Sequence, residues 1–313
     1  MTHERTGTRP ATAGPEANSA TKPKGSRVKS GGPVGGVVPL GTTTVRHKVS
    51  VKASAFRETA KSSIFLSGGN HWDERWVIQQ ALIPGESIPI QSQRRPGGAA
   101  ANMCRALIAD GHDCTFASVY GQDTPPLTGP YVRQICGENT PRYTSIEDKS
   151  GKVLYGLADM ELYERGMTAD WYRSLIPVAK DADVVVIDCN GPDGVLAHVG
   201  WFDFMVGLAV SPAKVCRLRP ILDRLQILFC NAAEVKALGA DLAKVAQAVV
   251  TQGPKGAHLL HWGTCIATFP APDWTPPSGN GLGDRLAGLT LSRVLAGSPL
   301  DQALPDALEA LPC

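Results

Sequence analysis

From residue 63 onward, short apolar runs recur along the chain, several of them ending in Gly, Asn or Asp. Ser63-Ile64-Phe65-Leu66-Ser67 runs into Gly68-Gly69, the form of a buried strand feeding a turn. Ser87-Ile88-Pro89-Ile90-Gln91-Ser92 reads as a peripheral strand, because proline lacks the N–H that an interior strand must donate. Apolar positions from Ala99 to Ala109 repeat with a helical period, and Thr115 to Val119 returns to strand. Val153 to Ala158 is a further strand candidate. Asp183-Val184-Val185-Val186-Ile187-Asp188 is continuous and β-branched, as expected of a strand buried on both faces of a parallel sheet. Ile227 to Cys230 and Ala248 to Thr251 repeat that type, with Ala232 to Ala246 read as helix between them. The alternation predicts an α/β fold: a central, mostly parallel sheet flanked by helices, with ligands at the carboxyl ends of the strands.

Residues 1–60 show no sustained apolar period and are rich in Thr, Ser, Gly, Pro and Lys, so a disordered basic tail is expected there, followed by one folded domain over 61–313. Residues 1–63 carry 11 Lys+Arg against three acids, so the net +2 of the chain divides into +8 for this segment and −6 for the rest. A mildly acidic body argues against nucleic acid as the main partner. No apolar stretch approaches the length of a membrane-spanning helix and no signal-peptide core follows the start. The expectation is a cytoplasmic protein with no membrane partner, organelle targeting by the basic tail staying open. The eight cysteines form no C-x-x-C pair and several sit in apolar runs, which points to reduced, core-filling thiols. His258 and His261, three apart in a strand-like run, fall on opposite faces and are not expected to share a metal.

Chemistry gathers at the glycine-marked turns. Ser278-Gly279-Asn280-Gly281-Leu282-Gly283-Asp284 leads into an apolar run of helical period through Leu286, Leu289 and Val294. A helix first turn offers free N–H groups and a positive dipole end, which attract anions. A carboxylate there either caps the helix or, with a phosphoryl group beside it, takes a proton from an attacking hydroxyl. Four more turns follow strand candidates: Gly68 to Asp73, Pro96 to Asn102, Asn231 to Glu234, and Thr251 to Gly256.

In this order, with the Gly-Leu-Gly-Asp loop last, the turns resemble those of the ribokinase-like (PfkB) carbohydrate and nucleoside kinases over about residues 62–310. Gly156-Leu157-Ala158-Asp159-Met160-Glu161, Ser211-Pro212-Ala213-Lys214 and Pro84-Gly85-Glu86-Ser87 are similar to segments of the pseudouridine kinases of that family. The resemblance implies a ribokinase-like fold with a small β lid, its strands near 86–94 and 153–158. It implies an ATP- and Mg²⁺-dependent kinase acting on the 5′-hydroxyl of pseudouridine, on another nucleoside or on a sugar. A catalytically degraded nucleoside-binding member is the alternative, and a homodimer through the lid is a further implication.

By the same resemblance, Asp284 is the base, and Gly281, Leu282 and Gly283 offer backbone N–H groups to the terminal phosphate. Asp73, Gly97, Gly98 and Asn102 bind the sugar. Asn231, Thr251, Gly253 and Gly256 lie along the nucleotide, and Glu234 organises the metal with Asn231, through water. Lys214, Asp159 and Asp188 receive no role. The chain departs from the family pattern at Ser278 and Gly279, at Leu282 where alanine is usual, and at Arg285 where a small residue is usual.

Overall fold

The computed structural model describes residues 61–127, 129–130, 138–273 and 281–311. The basic tail and the departures at Ser278 and Gly279 lie outside the described residues.

Twelve strands and six α-helices are present among the described residues. The strands are β1 (Ser63–Ser67), β2 (His71–Ile78), β3 (Ile90–Gly97), β4 (Asp113–Ala117), β5 (Arg142–Glu147), β6 (Val153–Asp159), β7 (Val184–Asp188), β8 (Met205–Leu208), β9 (Ile227–Asn231), β10 (Gln247–Thr251), β11 (Ala257–His261) and β12 (Thr264–Phe269). The helices are α1 (Ala99–Ala109), α2 (Glu161–Gly166), α3 (Ala169–Ala179), α4 (Ala232–Leu238), α5 (Leu282–Leu295) and α6 (Leu300–Glu309).

Eight strands form the main sheet in the order β12-β11-β10-β9-β8-β7-β1-β4, parallel from β10 to β4 and antiparallel at β11 and β12. Each interior strand divides its side chains between two cores by the period of two. Ile64, Leu66, Val184 and Val186 join α1, α5 and α6 on one face. Phe65, Val185 and Ile187 face the other core with α3, α4 and the 3₁₀ turn Val215–Arg224. This is the three-layer arrangement that the unbroken apolar runs predict.

The lid is a second sheet in the order β3-β2-β5-β6. It departs from the expectation in two ways. The Gly68–Asp73 segment is not only a turn: the chain turns at Gly68-Gly69 and enters strand at His71, so Asp73 is a lid residue. The first predicted lid strand lies later, at Ile90–Gly97, and ends where α1 begins, so the Gly97-Gly98 turn joins lid to main domain. Pro96 fits because β3 is an edge strand.

The helix expected over 232–246 is corrected as well. It stops at Leu238, where Gly239 takes a φ of 58°, and a 3₁₀ segment over Gly239–Lys244 carries the chain to β10. Glycine reaches that backbone region without Cβ strain, so the α-helix ends there although the apolar spacing runs on.

Of the described cysteines, Cys104, Cys114, Cys189 and Cys230 are buried and free, as core filling requires; Cys265 is exposed. His258 bonds Thr268, and His261 contacts the Trp262 ring. No helix among the described residues is long and apolar enough to cross a membrane.

Candidate active site

The parallel strands end on one side of the sheet, and three of them close on polar residues that gather there: Asp188 on β7, Asn231 on β9 and Thr251 on β10. A cavity of about 310 Å³ lies there. The lid contributes His71, Asp73, Tyr143 and Ala158; the main domain contributes Gly98, Asn102, Asn190, Lys214, Asn231, Glu234, Thr251, Gly281, Gly283 and Asp284.

Asp284 lies in the first turn of α5. Gly281 caps that helix with φ 81°, ψ −4°, and among the described residues no side chain satisfies its opening N–H groups. An Asn or Asp cap would have filled that role. A Cβ added at Gly283 would meet nothing within 4 Å, so space stands open at the helix mouth. Asn102 Nδ2 donates to Asp284 Oδ2 at 2.9 Å, and Asn102 Oδ1 accepts from Arg105 Nη1 at 2.9 Å. The carboxylate only accepts and the guanidinium only donates, so the Asn102 amide can take one orientation. Burial, with the charges of Asp73 and Asp188 behind it, pushes the Asp284 carboxyl up to about 6, against the opposing bond from Asn102 and the His71 ring. A carboxylate tuned toward neutral pH suits proton abstraction.

Asp73 enters from the lid with its side chain 16% exposed. His71 Nε2 lies 3.4 Å from one of its oxygens and Arg95 Nη2 3.8 Å from the other. Gly97 does not line the cavity; it sits against the Asp73 carboxylate, where any Cβ would collide with it. Gly98, at φ 97°, packs against the Gly69 carbonyl with no room for a Cβ.

On the far wall, Asn231 and Glu234 form a capping box on α4. Asn231 Oδ1 accepts from the N–H of Ala233 and Glu234 at 2.9 and 3.1 Å, and Glu234 Oε2 accepts from Asn231 N–H at 2.8 Å. Burial, with the nearby Asp284 charge, raises the Glu234 carboxyl above its usual range. Among the described residues no cluster of three His, Cys, Asp or Glu could cage a metal. Thr251 lines the cavity, whereas Gly253, Gly256 and Leu282 do not. Gly253 opens a short 3₁₀ turn, and Gly256 packs at φ 96° against the Phe269 carbonyl.

Several lining residues carried no role in the sequence reading. His71 and Lys214 stood inside quoted segments, but a lone His or Lys beside a turn is ordinarily a solvated residue. Asn190 follows the Asp188 strand end, and an Asx just past a strand was its one available signal. Tyr143 lies on β5, whose mixed polar and apolar residues carry no turn signal. Its hydroxyl is pushed up by burial and by Asp73.

Known proteins share this fold. A carbohydrate kinase from Agrobacterium tumefaciens superposes with a TM-score of 0.67 at 26% identity, covering 80% of this chain and 89% of that one. The chain has the ribokinase-like fold. A ribokinase from Cryptococcus neoformans, solved in complex with ADP, shares the fold with a TM-score of 0.60 at 18% identity, over 80% of this chain and 93% of its own. The pseudouridine kinase of Escherichia coli (strain K12) is 26% identical over 207 residues, which are 59% of this ribokinase-like chain and 66% of that relative's length. No protein-family model matches the chain.

Proposed function

We propose that this protein is an ATP-dependent kinase that phosphorylates the 5′-hydroxyl of a nucleoside, pseudouridine being the first candidate. The observation that carries the reading is the placement of Asp284. One cavity holds this carboxylate at a helix N-terminus that no described side chain caps, the lid carboxylate Asp73, and the Asn231–Glu234 pair. The likeness to the Escherichia coli pseudouridine kinase supports the substrate.

Phosphoryl transfer asks a protein mainly for positioning and electrostatics. Asp73 accepts hydrogen bonds from ribose hydroxyls, for which an acceptor-only group is well suited. Asp284 takes the proton of the 5′-hydroxyl; the freed oxygen bonds the terminal phosphorus, and the bond to the bridging oxygen breaks to release ADP. The open N–H groups of Gly281, Leu282 and Gly283 face the charge that builds on the transferred phosphoryl group. Thr251, Gly253 and Gly256 border the nucleotide's path. Mg²⁺ supplies charge neutralisation at the phosphates when bound. Glu234 and Asn231 would hold the ion, through water.

A sugar as acceptor is the second reading, favoured by the carbohydrate kinase that covers more of this chain at equal identity. A panel of nucleosides and sugars, with ADP release as the readout, separates them. Pseudouridine should give the highest kcat/KM, and a monosaccharide that exceeds it replaces the substrate. Turnover of no acceptor, with pseudouridine still bound, assigns the chain to a non-catalytic binding role.

The outer strand β6 exposes Val153, Tyr155 and Leu157 by about half, an edge on which a second copy of the chain would dock. Sedimentation that gives a monomer at micromolar concentration removes that dimer.

A further inference from the structure

Lys214 is the cavity's single ammonium or guanidinium group among the described lining residues. Three carboxylates, Asp73, Glu234 and Asp284, share that lining. A terminal phosphate entering such a space brings further negative charge, and a positive group must meet it. We propose that Lys214 is the phosphate-contacting cation of this site, and that Asp188 and Asn190 are the relay that positions it. The proposal rests on the kinase reading and deepens it.

The relay follows from donor and acceptor arithmetic. Asp188, fully buried at the end of β7, accepts from Gly69 N–H at 2.8 Å, from Asn190 N–H at 2.9 Å and from Asn190 Nδ2 at 2.9 Å. Asn190 Oδ1 in turn accepts from Lys214 Nζ at 3.2 Å. A carboxylate only accepts and an ammonium only donates, so the amide between them has one allowed orientation. Of the three Lys214 N–H donors, this bond uses one, which leaves the others for a ligand.

The neighbouring cation is committed elsewhere. Arg217 Nη1 donates to Glu164 at 2.7 Å and to the Gly191 carbonyl at 2.6 Å. It braces the loop that carries Asn190 and does not line the cavity. The relay also gives the Gly68-Gly69 pair a purpose. A Cβ on Gly68 would collide with the Asp188 carboxylate, and one on Gly69 would stand 2.6 Å from Asn190 Nδ2. The first glycine turn is thus fitted around this hydrogen-bond chain.

The test uses the full chain with Lys214→Met and Lys214→Arg, each first shown to melt within a degree or two of wild type. Calorimetry with a non-hydrolysable ATP analogue and Mg²⁺, and separately with AMP, reads the contact directly. Lys214→Met should weaken the triphosphate analogue by about tenfold or more and leave AMP within about twofold. It should lower kcat by about 10²-fold with the acceptor KM unchanged. Lys214→Arg should recover part of both losses, and Asp188→Asn, which frees the Asn190 amide to rotate, should fall between. Wild-type analogue affinity and turnover in Lys214→Met overturn the proposal and leave the kinase reading standing. A wild-type chain that neither binds the analogue nor transfers phosphate overturns both.

Discussion

The main sheet and the lid sheet put the same strand period to opposite uses. In β7 every residue is buried, and alternate side chains feed two separate cores. In β6 every residue is exposed, and β3 is nearly so. The lid is held instead by ladder hydrogen bonds and polar pairs: Arg75 with Glu147 at 2.7 Å, Arg94 with Asp123 at 2.6 Å, and Arg94 stacked 4.1 Å over the Trp72 ring. The Arg94–Asp123 pair is exposed on both sides and contributes little, whereas Arg75 pairs with a buried Glu147. Stability therefore resides mainly in one sheet, while the other presents Asp73 and Tyr143 to the cavity. The difference places the proposed base, Asp284, in the stable body and the proposed acceptor ligand, Asp73, in the weakly held one.

The sharpest way to break this division is Asp284→Asn. It should lower kcat by about 10³-fold while acceptor binding persists, read by steady-state kinetics beside calorimetry. The same variant should melt higher above pH 6. With its carboxyl held up at about 6, folded Asp284 binds a proton that the unfolded chain, titrating near 4, has already lost. Stability from this group is thus greatest below about pH 4 and falls as pH rises to 6, and the amide removes that loss. Gly98→Ala comes next: a Cβ at φ 97° meets the Gly69 backbone, at an expected cost of about 3 kcal/mol in chemical denaturation. Val186→Ala in the fully buried β7 should cost about 2 kcal/mol by the same measurement.

The pH profile sharpens the comparison from the lid side. kcat/KM should rise through about pH 6 as Asp284 loses its proton, and Asp73→Asn should move that midpoint lower, because the Asp73 charge raises it. A midpoint that stays fixed would uncouple the lid from the base. The smallest effect belongs to Tyr155→Ser, in an exposed lid position, at under about 0.5 kcal/mol. A larger loss would show that β6 is covered in solution.

These two sheets also differ in how far they could be read from residues. The buried runs at 63–67, 183–188, 227–230 and 248–251 announce themselves, because burial on both faces leaves no polar interruption. His71-Trp72-Asp73-Glu74-Arg75-Trp76 carries charge in mid-strand and offers no such pattern, so β2 was hidden behind its glycine turn. Asp284, Gly281, Asn231 and Thr251 were legible through glycine and Asx turns at strand ends. Asn190 and Lys214 were not, since their significance lies in a hydrogen bond across 24 residues that no local spacing encodes. Leu282 was placed as a backbone donor only, and its half-buried side chain is accommodated beside the cavity lining without entering it.

The bond from Asn102 to Asp284 has a further consequence. It joins α1 to α5, and the same two helices meet again further along, where Ser292 bonds both Asp110 and the His112 ring. Two rivets on one seam stop these helices from sliding or twisting past each other. Whatever travel the upper sheet makes on its glycine hinge, Asp284 keeps its bearing toward the mouth of α5, so in the proposed reaction the aiming would fall to the incoming alcohol alone.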